Sequence, residues 1–590
     1  MFEVGTGKTD ITVDKKGVGM MGYGMYRNIV LGVETPIYAR ALVFRDSRTG
    51  KKIAYVNAEI CFITIAIKSG VVKRFSRNYE ELGYDESNLF LTAQHTHSAP
   101  GGYSNYGLYN MSIPGFVPEV YTKIVDGIVD AILEAEKNLQ PAELKIATGT
   151  FDPNLEVAFN RSVFAYNLNP EVEIKRTEKD KHLAVDREMT LMRIDTPEGK
   201  PVASLNWFGL HTTSLSNDNH LICSDNKGYA SHYHEEEMKK HGKEKFISIF
   251  AQHVSGDVTP NFVWDKKKKW MRGKFENDFD SAKFSGNLQY EKAKEIFEKA
   301  KNASSLLPEI DHVIMNVDMK HVDCAPEFAN GKTDARTGPS CHGVAFFAGT
   351  LEGPGMEPAV AYASKILSKF IWLWENIKMP FMKPERRKSV QEKYLIQGKK
   401  DILIESCDRR ILGTDNIKNL FIPGWADRNI QVFKEYHRNG SLDNKPWIPQ
   451  VLPFHIAVIG TVALVGIPCE ITTIAGQRLR NTVADVLKKR GVERIIISSY
   501  TNAYCGYVTT YEEYQMQCYE GGHTVYGEYT LAAFQTKYKF LAEQLLKKPE
   551  ERNLGEKVEP AQFTEQEIAK RTYKQEMQEK LIKQAAAGKI

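Results

Sequence analysis

Short, largely apolar runs that end on chemically active residues constrain this chain more than any other feature of its sequence. Runs at 40–45, 52–60, 89–93, 202–208, 247–251, 456–465 and 494–498 are rich in Val, Ile, Phe and Ala and too short for buried helices, so they read as strands. The opening segment, 2–11, has the same character and leads into a Gly-rich stretch, 17–24. Such runs form buried sheets. Helical patterns fall between several of them, at 120–138, 287–303, 358–374 and 473–489, the last with Gly491 just beyond its basic end. Strands interleaved with helices give an α/β fold with mixed sheets and long inserted loops.

With 590 residues, the chain is long enough for a large core and a small appendage. The boundary falls near Lys547, where an apolar helix pattern over 529–546 gives way to Lys548, Pro549 and Glu550. Residues 1–547 then form the catalytic domain, and 548–590 a charged, helical C-terminal tail. Because 562–587 is rich in Glu, Lys and Gln, the tail is expected to be solvated, loosely docked or bound to a partner. No internal repeat is visible.

Charge and cysteine usage narrow the function. The 78 basic and 74 acidic residues leave a formal charge of +4, too balanced for a nucleic-acid partner. One local exception is the lysine run 266–269 beside Trp264 and Trp270, which is either a solvated loop or a contact for anionic lipid headgroups at a membrane surface. The eight cysteines are scattered without a CxxC pair and are expected to be free thiols. No charged-then-apolar leader and no membrane-spanning apolar run is present, so the chain as written reads as cytoplasmic. A leader removed before this numbering would make it secreted or membrane-peripheral. The sequence carries no signal of oligomeric state.

Candidate chemistry sits at the predicted strand ends. His95-Thr96-His97-Ser98 follows the run 89–93, and residues two apart on extended backbone face the same side, so both imidazoles can address one site. His211 follows the run 202–208; alone it is as readily a structural histidine. Glu470 follows the apolar stretch 462–468. A carboxylate there needs compensation, either as a helix cap beside Thr472 and Thr473 or by a metal. The stretch after 494–498 holds Tyr504, Tyr507, Tyr511, Tyr514 and Tyr519 among polar residues, a mixture that suits a pocket. Gly256 to Asn261 reads as a turn able to expose the Thr259 hydroxyl, and Arg161 is either an oxyanion or headgroup contact or a surface ion pair. The histidine pair, His211, Glu470 and the Tyr-rich stretch all fall at predicted strand ends, where open α/β sheets bind ligands. Imidazoles with one carboxylate suit zinc better than calcium or magnesium.

In order along the chain, Met21-Gly22-Tyr23, His95-Thr96-His97-Ser98 with Pro100-Gly101-Gly102, Asn160-Arg161-Ser162, Ser224-Asp225-Asn226, Gly256-Asp257-Val258, Ala348-Gly349-Thr350 and Thr509-Thr510-Tyr511-Glu512-Glu513-Tyr514 resemble the neutral, or neutral/alkaline non-lysosomal, ceramidase family over about the first 546 residues. The resemblance implies a zinc-dependent amidohydrolase that cleaves the N-acyl amide of ceramide or a similar lipid to a fatty acid and a sphingoid-type amine. It implies one zinc per chain, bound by His95, His211, Glu470 and Tyr507, with Tyr504 the alternative fourth ligand. His97, Arg161 and Tyr519 would line the reacting centre.

Two departures from the family pattern matter. Thr259 stands where the family has a serine discussed as a nucleophile, which favours zinc-activated water, with Thr259 as a substrate contact. No C-terminal immunoglobulin-like sandwich is evident, because the residues after Tyr507 read as helical. A different N-acylated amine or amino lipid is therefore the alternative substrate, and a non-catalytic lipid-binding homologue the alternative without chemistry.

Overall fold

Burial on both faces of single strands dictates a layered molecule. In the strand Tyr38–Asp46, Leu42 and Phe44 project to one face and Ala39, Ala41 and Val43 to the other, and both faces are buried. Lys52–Ala58 repeats this, with Ile53 and Tyr55 on the first side and Ala54 and Val56 on the second. Strands of that kind need cover on both faces. The computed structural model, which describes residues 1–417 and 428–588, provides it in four layers.

An eight-stranded sheet runs in the order Ile247–Gln252, Pro201–Phe208, Glu188–Asp195, Gln140–Thr150, Phe2–Asp10, Tyr38–Asp46, Lys52–Ala58, Leu89–Ala93. A four-stranded sheet, Ile310–Asp318, Val451–Ile459, Val462–Gly466 and Arg494–Ser498, packs on its inner face. Ala457, Ile459, Val462 and Leu464 from the smaller sheet share one apolar cluster with Phe44, Tyr55 and Trp207 from the larger. Helices close the outer faces. Ile65–Asn78 and Pro118–Lys137 cover one half of the large sheet, Asp225–Lys240 and Asp278–Ala300 the other half, and Thr473–Leu487 with Thr530–Gln544 cover the small sheet.

Mixed strand direction positions the site. The interior of the large sheet is antiparallel, but the pairs at its two edges, Lys52–Ala58 with Leu89–Ala93 and Pro201–Phe208 with Ile247–Gln252, are parallel. The small sheet ends in a third parallel pair, Val462–Gly466 with Arg494–Ser498. Loops leaving the carboxyl ends of these strands converge. Thr96 pairs with Thr212 as an isolated parallel bridge, and the Gln252 side chain donates to the Gln94 carbonyl at 2.9 Å, joining the two edges of the large sheet.

Several segments differ from their sequence-based limits, and the run at 456–465 is a hairpin of two antiparallel strands, Val451–Ile459 and Val462–Gly466. The helix expected at 287–303 starts at Asp278, because the Asn277 side chain accepts from the Phe279 and Asp280 amides and caps a polar first turn that periodicity does not reveal. In the tail, the helices Glu565–Arg571 and Gln575–Ala586 lie against the body: Phe116 bridges Thr572, the Tyr573 hydroxyl donates to the Gly17 carbonyl at 2.7 Å, and Leu581 is fully buried. The last two residues of the tail, 589–590, lie outside the described residues. All eight cysteines carry free thiols.

Candidate active site

His95 leaves the strand Leu89–Ala93 with φ at +78°, a left-handed conformation that a residue with a Cβ adopts only under constraint. Its amide donates to the Ile60 carbonyl at 3.0 Å, and its ring Nδ1 lies 2.7 Å from the Cys61 carbonyl. His211, two loops away, is held in the same manner, with Nδ1 2.7 Å from the Ser255 carbonyl. Because a carbonyl only accepts, each Nδ1 carries a hydrogen and donates it, and each Nε2 is left facing the site. Burial lowers the His95 pKa in spite of the Glu470 carboxylate beside it, so its Nε2 presents a lone pair.

Glu470 completes the group from the other sheet. Its Oε2 lies 2.9 Å from His211 Nε2 and 3.5 Å from His95 Nε2, and the ligand atoms of all three buried residues fall within 4.8 Å of one another. Three acceptors turned toward each other repel unless a cation sits among them. The donor set is therefore one that fits a metal ion, and two imidazoles with one carboxylate suit zinc. Tyr504 donates to Glu470 Oε1 and Tyr500 to Oε2 at 3.2 Å, which fixes the carboxylate plane. Tyr507 comes from the opposite side, its hydroxyl 3.5 Å from His211 Nε2.

A guanidinium organises the rest. Arg161 donates from Nε to Glu520, from Nη1 to Glu352, and from Nη2 to both the Gly256 carbonyl and the Tyr507 hydroxyl, each at 2.8 Å. Burial works against its charge, but Tyr507, Glu520 and Glu352 outweigh burial and raise its pKa well above the ordinary value. Burial would likewise raise the Glu352 carboxyl, and Arg161 reverses the effect. The Tyr519 ring stands 5.5 Å from that of Tyr507, with the Arg161 guanidinium 5.2 Å from its centroid. His97 brings Nε2 to within 3.1 Å of His95 Nε2, and burial followed by the two neighbouring histidines lowers its pKa well below the ordinary value. Gly22, at φ +134°, makes room for that ring: a Cβ there would lie 2.4 Å from it.

These groups form the polar floor of a cavity of about 490 Å³ whose walls include Met21, Phe62, Tyr109, Phe346 and Met356. Apolar side chains beside a cluster of polar, titratable groups suit a ligand that has both apolar and polar parts.

The neutral/alkaline non-lysosomal ceramidase N-terminal family model matches residues 2–411 and 427–536. The chain belongs to the neutral ceramidase family. It is 32% identical to the neutral ceramidase of Pseudomonas aeruginosa over 92% of its own length and 72% of the relative's, and equally to neutral ceramidase B of Dictyostelium discoideum over the same shares. A solved structure described as ceramidase complexed with C2 superposes with a TM-score of 0.77 at 31% identity, covering 95% of this chain and 77% of that one. The crystal structure of neutral ceramidase from Pseudomonas aeruginosa follows at 0.72 and 30% identity, covering 92% of this chain and 74% of that one.

Within this ceramidase framework, the structure brings His95, His97, Arg161, His211, Glu470, Tyr507 and Tyr519 around one cavity. Thr259 stands apart. Its hydroxyl donates to Glu352 from behind the cavity wall, because the turn that carries it pairs with Phe159 in a short antiparallel ladder. The lysine run 266–269 occupies the end of a hairpin, where Lys268 pairs with Asp218 at 2.9 Å and Asp278 at 3.4 Å while Lys266, Lys267 and Lys269 are exposed. Sequence reasoning missed Glu352, Glu520, Tyr500 and His523. The first two carried a signal, since Glu352 follows Ala348-Gly349-Thr350 and Glu520 follows Tyr519. His523 lines the cavity with neither ring nitrogen hydrogen-bonded among the described residues, and burial lowers its pKa to about 3.

Proposed function

We propose that this chain hydrolyses the N-acyl amide of ceramide, releasing a fatty acid and a sphingoid-type amine, at a zinc site held by His95, His211 and Glu470. The convergence of three buried acceptor atoms within 4.8 Å at the base of a partly apolar cavity carries this reading. Tyr507 supports the assignment as the fourth ligand, because its hydroxyl points at His211 Nε2 while Tyr504 is committed to Glu470. One zinc per chain would polarise the amide carbonyl and lower the pKa of a nearby water.

The protein groups supply the remaining steps. Arg161, a permanent cation bonded to Tyr507, stabilises negative charge as it develops on the carbonyl oxygen, and the Tyr519 hydroxyl is a donor for the same oxygen. His97 is neutral and buried, with Nδ1 unpartnered among the described residues; it takes the proton of the attacking water and returns it to the leaving amine. Glu352 is held low by Arg161 and is a poor base for Thr259, which favours attack by water over an acyl-enzyme. Met21, Phe62 and Phe346 hold the acyl and sphingoid chains while the amide lies on the polar floor. Residues 1–547 act as the catalytic domain, with the tail from 548 onward docked on it.

Hydrolysis of a fluorescent short-chain ceramide by purified protein, with zinc counted in the same preparation, tests this. Roughly one zinc per chain is expected, with amine release that stops on chelation and returns with zinc. Failure to bind zinc would remove the metal centre from the mechanism, and zinc without ceramide cleavage would redirect the substrate to another N-acylated amine.

A further inference from the structure

The helix Pro358–Lys378 is amphipathic in the wrong sense for a soluble surface. Its inward side carries Ala361, Ser368 and Glu375, all buried, and Glu375 is fixed there by Lys393 at 2.7 Å and Arg386 at 3.1 Å. Its outward side carries Tyr362, Ile366, Phe370, Leu373 and Ile377, between 48% and 68% exposed. At 3.6 residues per turn these five fall on an arc of about 80°. Leu367 and Trp374 widen the same face, and Phe381, 89% exposed, follows just past its end. Normal folding places such a stripe inside; here the ion pairs of Glu375 orient it outward.

Charge placement says what covers this face. Lys365 and Lys369 flank the stripe on one side and Lys378 flanks it on the other, all exposed, while the helix's single carboxylate is buried in ion pairs. The acidic neighbour that Lys365 and Lys369 feel is Asp401. Large apolar and Trp side chains bordered by lysines match the boundary between acyl chains and anionic headgroups. A protein partner would not require that rim. Among the described residues no helix is long and apolar enough to cross a membrane, so this one lies in the surface. Its 21 residues reach about 31 Å.

The helix also begins at the cavity. Phe346, Phe347, Met356 and Glu357 line the cavity, Met356 and Glu357 lead directly into Pro358, and the Met356 amide donates to the Phe347 carbonyl at 2.6 Å, tying helix entry to cavity wall. We propose that Pro358–Lys378 docks in the interface of an anionic phospholipid bilayer and holds the cavity mouth against it, so that lipid substrate enters from the membrane without crossing water. The entry route rests on the N-acyl lipid reading; the docking does not.

Flotation of the full chain with phosphatidylcholine vesicles, with and without phosphatidylserine, tests the docking. Wild type is expected to float with the anionic vesicles, and the combined Ile366→Glu, Phe370→Glu and Leu373→Glu variant to bind them at least about tenfold more weakly. The variant keeps its hydrolysis of a micellar short-chain ceramide but loses hydrolysis of ceramide embedded in vesicles. A second variant, Lys365→Glu with Lys369→Glu, weakens binding to the anionic vesicles alone. Failure of wild type to float, or equal flotation of the triple variant, overturns the docking. So does a wild-type dimer in light scattering that the triple variant dissociates while vesicle binding is unchanged, which would assign the face to a second copy. Loss of flotation in a chain that cleaves no ceramide in either form keeps the docking and overturns the ceramidase reading instead.

Discussion

His211 Nε2 stands 2.9 Å from Glu470 Oε2, although one follows a strand of the eight-stranded sheet and the other a strand of the four-stranded sheet. Two acceptors at that distance are stable around a cation. Glu470→Gln keeps the shape, removes the charge and gives His211 a donor. The variant is expected to keep its circular dichroism spectrum, to lose most of its zinc, and to lose at least about a thousandfold in kcat/KM, roughly 4 kcal/mol. A zinc-replete, active Gln variant would take Glu470 out of the centre.

Thr259 gives its hydroxyl proton to Glu352 behind the cavity wall. Thr259→Val removes that hydrogen bond and is expected to lower kcat/KM by less than about thirtyfold, near 2 kcal/mol. Loss of a covalent nucleophile would reach about ten-thousandfold or more. Stopped-flow release of amine separates the cases, with no pre-steady-state burst expected in wild type.

Gly22 occupies a backbone conformation that side chains avoid, against the face of His97. A methyl group there must push the imidazole away. Gly22→Ala is predicted to cut kcat by between about ten- and a hundredfold while zinc content stays at the wild-type level. Unchanged kcat would mean that His97 moves no proton in the rate-limiting step.

His234 offers a pH test remote from the proposed zinc site. It lies against Phe246 and Phe297, bonded to Ser204 and Ser248, and burial lowers its pKa to about 4. The unfolded chain takes up this proton near pH 6.5. Between those values the unfolded state binds a proton that the folded state refuses, so stability present above about pH 6.5 is lost as pH falls toward 4. The loss is on the order of 3 kcal/mol. Urea midpoints of wild type and His234→Asn are expected to differ most at neutral pH and to approach each other on acidification; a constant difference would show that His234 does not titrate.

Local pattern carried much of this molecule. Short apolar runs are strands because burying both faces of a pleated ribbon requires apolar residues at successive positions, and the runs at 89–93 and 494–498 match the observed strands residue for residue. His95 and Glu470 were legible for a related reason: a histidine pair directly after a strand, or a carboxylate after five apolar residues, has few satisfactory environments. Glu352 and Glu520 were marked only by their neighbours, Ala348-Gly349-Thr350 and Tyr519, and nothing local shows what they bind. Their role comes from Arg161, 191 and 359 positions away.

Sequence alone marked many of the strands and helices, since these depend on spacing over a few residues, and its motifs carried the resemblance that implied the class of chemistry; it marked no strand at Gln140–Thr150, Glu188–Asp195 or Ile310–Asp318. Only the tertiary structure decided which strand ends meet, because Thr96 reaches Thr212 through the curvature of a sheet that no local pattern encodes. It also decided the outward face of Pro358–Lys378. Periodicity marks an apolar stripe on that helix, but the direction it faces is set by Glu375, which must turn inward to meet Lys393 and Arg386.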